Sequence, residues 1–303
     1  MTVPDENRIA EETARLAAGR ASRRSEVVGR MRGQLVPLLG ATIVLTFVIF
    51  ALFPDFIAPH NPNELNVPDK LLPPSSDHIL GTDEVGRDLF SRVIHGTRLS
   101  LGTALAVILT SAAFGTVVGL VSGFVGGLID DLIMRVVDVF LSFPIYILAM
   151  AVAAVLGRGT GSLIVALSIV WWPGYARMVR GMVLGLKRRL HVENARSLGA
   201  SSPYIMRRHI FPYMIRQLEI RVSQDMGYAL IAVASLSFIG LGAQPPASEW
   251  GLLLSGARAY VVNAWWYPFF PGLAIAALTL GLGTVGDFLA DSVVDPEKAR
   301  RGH

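Results

Sequence analysis

The sequence predicts an all-α membrane protein with six transmembrane helices, and three observations carry that prediction. Of its 303 residues, 52% are hydrophobic and only 17% charged, where a soluble domain carries about a quarter charged residues. The apolar residues gather into blocks long enough to cross a bilayer, which takes roughly 20 residues per helix. The basic residues crowd at some block ends and avoid others, as topology signals do.

Taken in order, the first span covers about residues 35–57. It is too long and lies too far from the N-terminus to be a signal-peptide core. The basic run before it (Arg20, Arg23, Arg24, Arg30, Arg32) reads as a cytoplasmic flank within segment 1–34. The second span, about 99–122, carries Gly115, Gly119 and Gly123. That four-residue spacing makes a smooth stripe on which another helix backbone can approach closely. The third span, about 133–156, contains Pro144, and the fourth, about 161–183, contains Pro173. Proline inside a span is expected to bend it, with neighbouring helices satisfying the freed carbonyl. Spans at about 219–241 and 267–290 complete the set, so 99–290 forms a five-helix core.

Charge then orients the chain. Ten lysines and arginines lie between Arg177 and Arg221, and Lys298, Arg300 and Arg301 follow the last span. The positive-inside rule puts the N-terminal segment, the 184–218 loop and the 291–303 tail in the cytoplasm. Trp265, Trp266 and Tyr267 are then expected as an aromatic belt at the outer interface. The net charge of +4 is a topology signal rather than a sign of nucleic-acid binding. The absence of cysteine excludes disulfides, thiolate metal sites and thiol catalysis in this chain.

Segment 58–98 is external, stiffened by prolines, and ends in GTDEVGRDLFSRVIHGTRLSL. Thr82 is expected to cap a helix there, with Asp83 and Glu84 favourable against its N-terminal dipole. Val85, Leu89, Val93 and Thr97 share a face, which predicts a helix lying along the outer interface.

The cytoplasmic loop is the most informative stretch: VENARSLGASSPYIMRRHIFPY, residues 192–213. Val192, Ala195 and Leu198 recur at three-residue spacing, one face of a short helix. Gly199 suits the left-handed position that ends such a helix. Ser202 is a good N-cap and Pro203 a good first residue for a second helix running toward Pro212. A short amphipathic helix wants a partner for its apolar face, either lipid headgroups or another protein.

Glu193-Asn194-Ala195, Gly199 six residues on and Pro212 thirteen after the glycine resemble the cytoplasmic "EAA" loop of ABC-importer permease subunits. HILGTDEVGRDLFSR (78–92), MRVVDVFLSFP (134–144), WPGYARMVRG (172–181), SLGAS (197–201), RHIFP (208–212), ASLSFIGLGAQPPASEWG (234–251) and FLADSVVDP (288–296) are similar to the second permease of dipeptide, oligopeptide and nickel importers. LLPPS near residue 72 and NAWWYPFFPG (263–272) are somewhat similar to D,D-dipeptide permeases. Asn194 stands where the family usually has alanine, and Phe211 where leucine is commoner. The departures bear on the fine detail of docking.

The resemblance implies a type I ABC importer permease (MetI-like) fold in the cytoplasmic membrane of a prokaryote. It implies a second homologous permease, two ATPase subunits and an extracytoplasmic substrate-binding protein as partners. The cargo would be a dipeptide or short oligopeptide; nickel complexes, glutathione or another small solute are the alternatives. Glu193, Asn194, Ala195, Arg196, Leu198, Gly199, Ala200 and Ser201 would form the coupling loop that docks on an ATPase. The chain carries no GxxxxGK[ST] phosphate loop, so ATP and Mg²⁺ would be bound by the partner ATPases, with no catalytic residue, cofactor or metal expected here.

Other candidates have two readings each. Asp83, Arg87, Asp88 and Trp250 either cap and anchor external structure or contact the binding protein. Asp225, near the inner end of the fifth span, is the best candidate for the translocation path, since ionisable residues near spans are functional suspects. Asp131 and Arg135, four apart, are expected to pair on one helix face. Gly281, Gly283 and Gly286 match G-x-G-x-x-G, but within an apolar span they read as helix packing rather than a dinucleotide loop. The six histidines all fall outside the spans, which disfavours a membrane protease. A self-contained secondary transporter would show inverted repeats and midplane ion ligands, and neither is evident.

Overall fold

The computed structural model describes residues 35–294. Helix α1 spans Leu35–Leu52 and breaks at Phe53 before the one-turn α2, Pro54–Ile57. An extended stretch leads to α3, Leu89–Val125. Next come α4, Gly127–Ser142, α5, Ile145–Leu156, and α6, Thr160–Leu186. The short helices α7, Leu190–Ser197, and α8, Ser202–Ile205, lead into α9, Phe211–Phe238. α10, Trp250–Ala257, and α11, Trp266–Val294, close the chain. Among the described residues there is no β-strand, only an isolated bridge between Thr82 and Asp88.

Helices α1, α3, α6 and α11 are long and apolar enough to cross a membrane, and α4 with α5 is so only as a pair joined across a sharp bend. The sixth long helix, α9, packs on α11 and α3. Its first half carries Arg216, Glu219, Arg221 and Asp225, which lowers its hydropathy. The third expected span is therefore two helices: the chain turns by 95° between α4 and α5. Pro144 stands at the break as the N-cap of α5, because its ring excludes the helical conformation from the preceding residue. Pro173 and Pro271 stay inside α6 and α11.

The centre of the bundle is α3 laid along α6, and the glycine stripe explains the fit. A Cβ added at Gly115 would stand 2.5 Å from the Trp172 carbonyl oxygen, and one at Gly119 2.3 Å from that of Ala176. One at Gly123 would stand 2.9 Å from Cβ of Val183. Two glycines of α11 serve the same purpose: Gly281 faces Gly40 and Ile43 of α1, and Gly286 faces Gln224 of α9, whereas Gly283 has no neighbour within 4 Å of an added Cβ.

Ion pairs between helices fix one end of the bundle. Arg180 of α6 makes a bidentate pair with Asp130 of α4 at 2.6 Å for both bonds, and Ser122 of α3 donates to the same carboxylate. Arg177 pairs with Asp138. The expected Asp131–Arg135 pair along α4 is not formed; the carboxylates that are paired reach across to α6 instead.

Candidate functional site: a bracketed end and an open end

At the end of the bundle that holds segment 58–98, the expected separate interfacial helix is the first turns of α3, continuous with the long span. Asp88 rather than Thr82 is its N-cap, accepting from the Ser91 N–H at 2.8 Å. The Thr82 hydroxyl turns back to bond the chain before it, donating to the Asp69 carbonyl and accepting from the Leu72 N–H.

Asp83 is the hub of this end and is fully buried. It accepts from the backbone N–H groups of Val85 and Arg87, from Arg87 Nε at 2.6 Å and from the Arg92 guanidinium. Arg92 also donates to the Ala247 carbonyl at 3.0 Å, tying in the loop before α10. Glu84 accepts from Arg87 and from the Tyr267 hydroxyl, and Trp266 Nε1 donates to the Thr82 carbonyl. Of the expected aromatic belt, only Trp265 is exposed; Trp266 and Tyr267 are buried against this segment.

Trp250 is likewise fully buried. Its indole donates to the Val93 carbonyl at 2.9 Å, and its backbone N–H donates to Ser100. Glu249 caps α10 through the Leu252 N–H and accepts from Ser100. Burial pushes its carboxyl above the ordinary range, against the pull of the Gly251 and Leu252 N–H groups. The side chains of Asp83, Arg87, Asp88 and Trp250 are thus turned inward and bonded within the chain. Sequence reasoning gave Glu84 only a dipole role and missed its bond to Tyr267, and it gave no role to Glu249, His60 and His78, whose partners lie elsewhere along the chain.

The opposite end is open. Helix α7 is rooted by Val192, fully buried among Tyr175, Val179, Val183 and Leu186 of α6, Ile205 of α8, Met214 and Leu218 of α9, and Ile210 between these two. Ala195 and Ala200 pack on the same cluster. Gly199 ends the helix with φ +79°. Its N–H donates to the Arg196 carbonyl, and the Ala200 N–H donates to that of Ala195, the paired bonds of a Schellman motif. Leu198 does not share the inner face as expected. It is the C-cap, past the last helical residue, and is 87% exposed.

The outward face of α7 therefore presents Leu190, Glu193, Asn194 and Leu198, all exposed. Glu193 makes no ion pair or hydrogen bond through its side chain among the described residues. Arg196 is exposed and lies over the Phe124 ring, and Ser201 is exposed as the N-cap of α8, one residue before the expected position. α8 continues through a π turn, Met206–Ile210, directly into α9. The wider turn precedes Pro212, which supplies no N–H and whose ring would crowd the carbonyl four residues back. A cleft of about 270 Å³ opens beside α7, lined by Gly181, Met182, Gly185, Leu186, Arg189, Tyr213 and Gln217.

Asp225 sits in the bundle rather than at its surface. It is buried and accepts from Arg221 Nε at 2.8 Å; the Arg221 side chain is half-exposed.

Comparison with known proteins adds the following. The family model described as "Binding-protein-dependent transport system inner membrane component" matches residues 115–296, and "N-terminal TM domain of oligopeptide transport permease C" matches 22–74. A probable D,D-dipeptide transport system permease protein of Escherichia coli K12 is 37% identical over 95% of this chain and 97% of that one. A glutathione transport system permease protein of Pectobacterium atrosepticum is 40% identical, over 88% of this chain and 89% of its own. A dipeptide transport system permease protein of Alkalihalophilus pseudofirmus is 34% identical, over 90% and 89%.

Proposed function

Since the chain belongs to the family of binding-protein-dependent transport system inner membrane components, we propose that it is one permease half of an ATP-driven peptide importer. Its partners in this reading are a second homologous permease, two ATPases that bind ATP and Mg²⁺, and a binding protein that delivers cargo. The cargo is a short peptide, glutathione included, in line with what the relatives' names say of them. The positive-inside rule orients the α7 end toward the cytoplasm and segment 58–98 away from it.

The observation that carries the reading is the build of α7. Its inner face is seated in a packed cluster shared with α6 and α9, while its outer face offers Leu190, Glu193 and Leu198 unpartnered. A partner that grips this face moves a rigid body. Because α8 passes into α9 without a loop, the displacement is handed to a long helix of the bundle, and through Val192 to α6. Packed interfaces of this kind switch between discrete arrangements instead of deforming smoothly. The Arg221–Asp225 pair is assigned to the translocation path, with Arg221 the accessible member and Asp225 holding it in place.

The test is co-purification. Gently solubilised, the chain should bring down an ATP-hydrolysing subunit, and reconstituted complexes carrying Glu193→Ala should hydrolyse ATP with uptake reduced at least tenfold. Recovery of no ATPase, or full uptake in the variant, refutes the reading.

A further inference from the structure

Among the described residues, a cluster of metal-ligating side chains lies outside the machinery described above. His60, His78 and Asp88 come from separate parts of segment 58–98, yet one ligand atom from each lies within 4.8 Å of the others. His78 Nδ1 is 2.9 Å from Asp88 Oδ1, and His60 Nδ1 is 3.7 Å from Asp88 Oδ2. The two imidazole rings stand 5.1 Å apart.

Hydrogen bonding accounts for only part of this. Asp88 Oδ2 caps α3 through the Ser91 N–H, and Oδ1 meets His78. His60 is the remainder: its ring makes no hydrogen bond, yet its Nδ1 points at the same carboxylate. Its backbone N–H is fixed independently, donating to Ser91 Oγ at 3.1 Å, so the ring is held at the cluster by structure around it.

We propose that His60, His78 and Asp88 form a binding site for a divalent transition metal of the zinc class. Two imidazole nitrogens and one carboxylate oxygen are donors suited to zinc and its neighbours rather than to magnesium or calcium, which take oxygen. Tetrahedral zinc, with bonds of roughly 2.0–2.1 Å, sets neighbouring donors about 3.3 Å apart. The observed 2.9 and 3.7 Å run to the two different oxygens of Asp88, and with one atom from each residue the three donors lie within 4.8 Å of one another, so the side chains would draw together around the ion. The metal takes the place of the proton shared by His78 and Asp88, which leaves to solvent. Three protein donors would leave a fourth position to water. The ion would fasten the stretch after α2 to the first turn of α3.

Titration of the full-length, tag-free chain in lipid nanodiscs with Co²⁺ tests this directly. With no cysteine in the chain, thiolate bands cannot obscure the spectrum. One equivalent should give the visible absorption of four-coordinate Co²⁺, abolished by one equivalent of Zn²⁺. Because a supporting residue outside the ligand set alters metal affinity by about 10–100-fold, loss of a ligand in His60→Ala should weaken binding by at least ~100-fold. The metal-free unfolding midpoint should stay unchanged, since neither the α3 cap nor the His78–Asp88 bond is touched. His191→Ala, at the opposite end of the bundle, should bind as the parent does. Absence of a four-coordinate spectrum, binding unaffected by His60→Ala, or binding lost in His191→Ala would each overturn the site.

Discussion

The two ends of this bundle use polar residues in opposite ways. At the 58–98 end, Asp83 is buried with Arg87 and Arg92 bonded to it, and Glu249 and Trp250 are buried and meet at Ser100. At the α7 end, Glu193 and Asn194 stand in the open beside Leu190 and Leu198. A buried network of charges holds together to the extent that its members are satisfied, and the first end meets most of that demand from within the chain, the buried Arg92 Nε being left without a partner among the described residues. The second end leaves polar and apolar groups side by side and unpartnered, the mixture found at interfaces. In the proposed reading, the contrast separates residues that build the subunit from residues that would serve an assembly.

Substitutions at the two ends should therefore divide cleanly between stability and transport. The largest loss of stability is expected for Asp83→Ala, which takes the shared carboxylate from two buried guanidinium groups and should cost about 3–5 kcal/mol, read as a lowered unfolding midpoint and poor recovery of protein. At the open end, Gly199→Leu should cost about 1–2 kcal/mol, because a side chain resists the left-handed conformation, although no neighbour lies within 4 Å of the added Cβ. Its effect on uptake should far exceed its effect on the midpoint.

A third prediction concerns pH. Glu249's carboxyl is raised in the folded chain, so the folded state holds its proton more tightly than the unfolded state. Its contribution to stability is fully present below the unfolded value of about 4.3 and is lost as pH rises through the folded value. Glu249→Gln should remove that component, giving an unfolding midpoint less dependent on pH over the same window. The smallest stability effect is expected for Glu193→Ala, within about 0.5 kcal/mol, together with the loss of uptake described above. An unfolding midpoint that falls as far for Glu193→Ala as for Asp83→Ala would dissolve the distinction between the two ends.

The features legible in the sequence were those written locally. The Gly115–Gly119–Gly123 stripe declares a close helix contact because four-residue spacing keeps one face smooth, and the structure supplies α6 as its partner. Gly199 declares a left-handed helix end by its place after a short periodic run. What the sequence hid depends on distant partners. Asp88 and Thr82 are both good caps, and only the packing of residues 69–72 against Thr82 decides between them. A single proline is compatible with a gentle bend or a full break, and the 95° turn at Pro144 is set by how α4 and α5 separately dock on α6. His60 and His78 carry no local pattern at all and meet only because the extended segment folds back over α3.

The central claim, that the outer face of α7 is reserved for a partner, is tested most directly by thiol protection. A chain without native cysteine allows Leu198→Cys to be the sole reactive site, and at 87% exposed it should be modified rapidly in the isolated subunit. In the assembled complex with its ATPases, modification should slow by at least about tenfold, the signature of a residue covered by an interface. Equal rates of modification in the free and assembled forms would contradict the account.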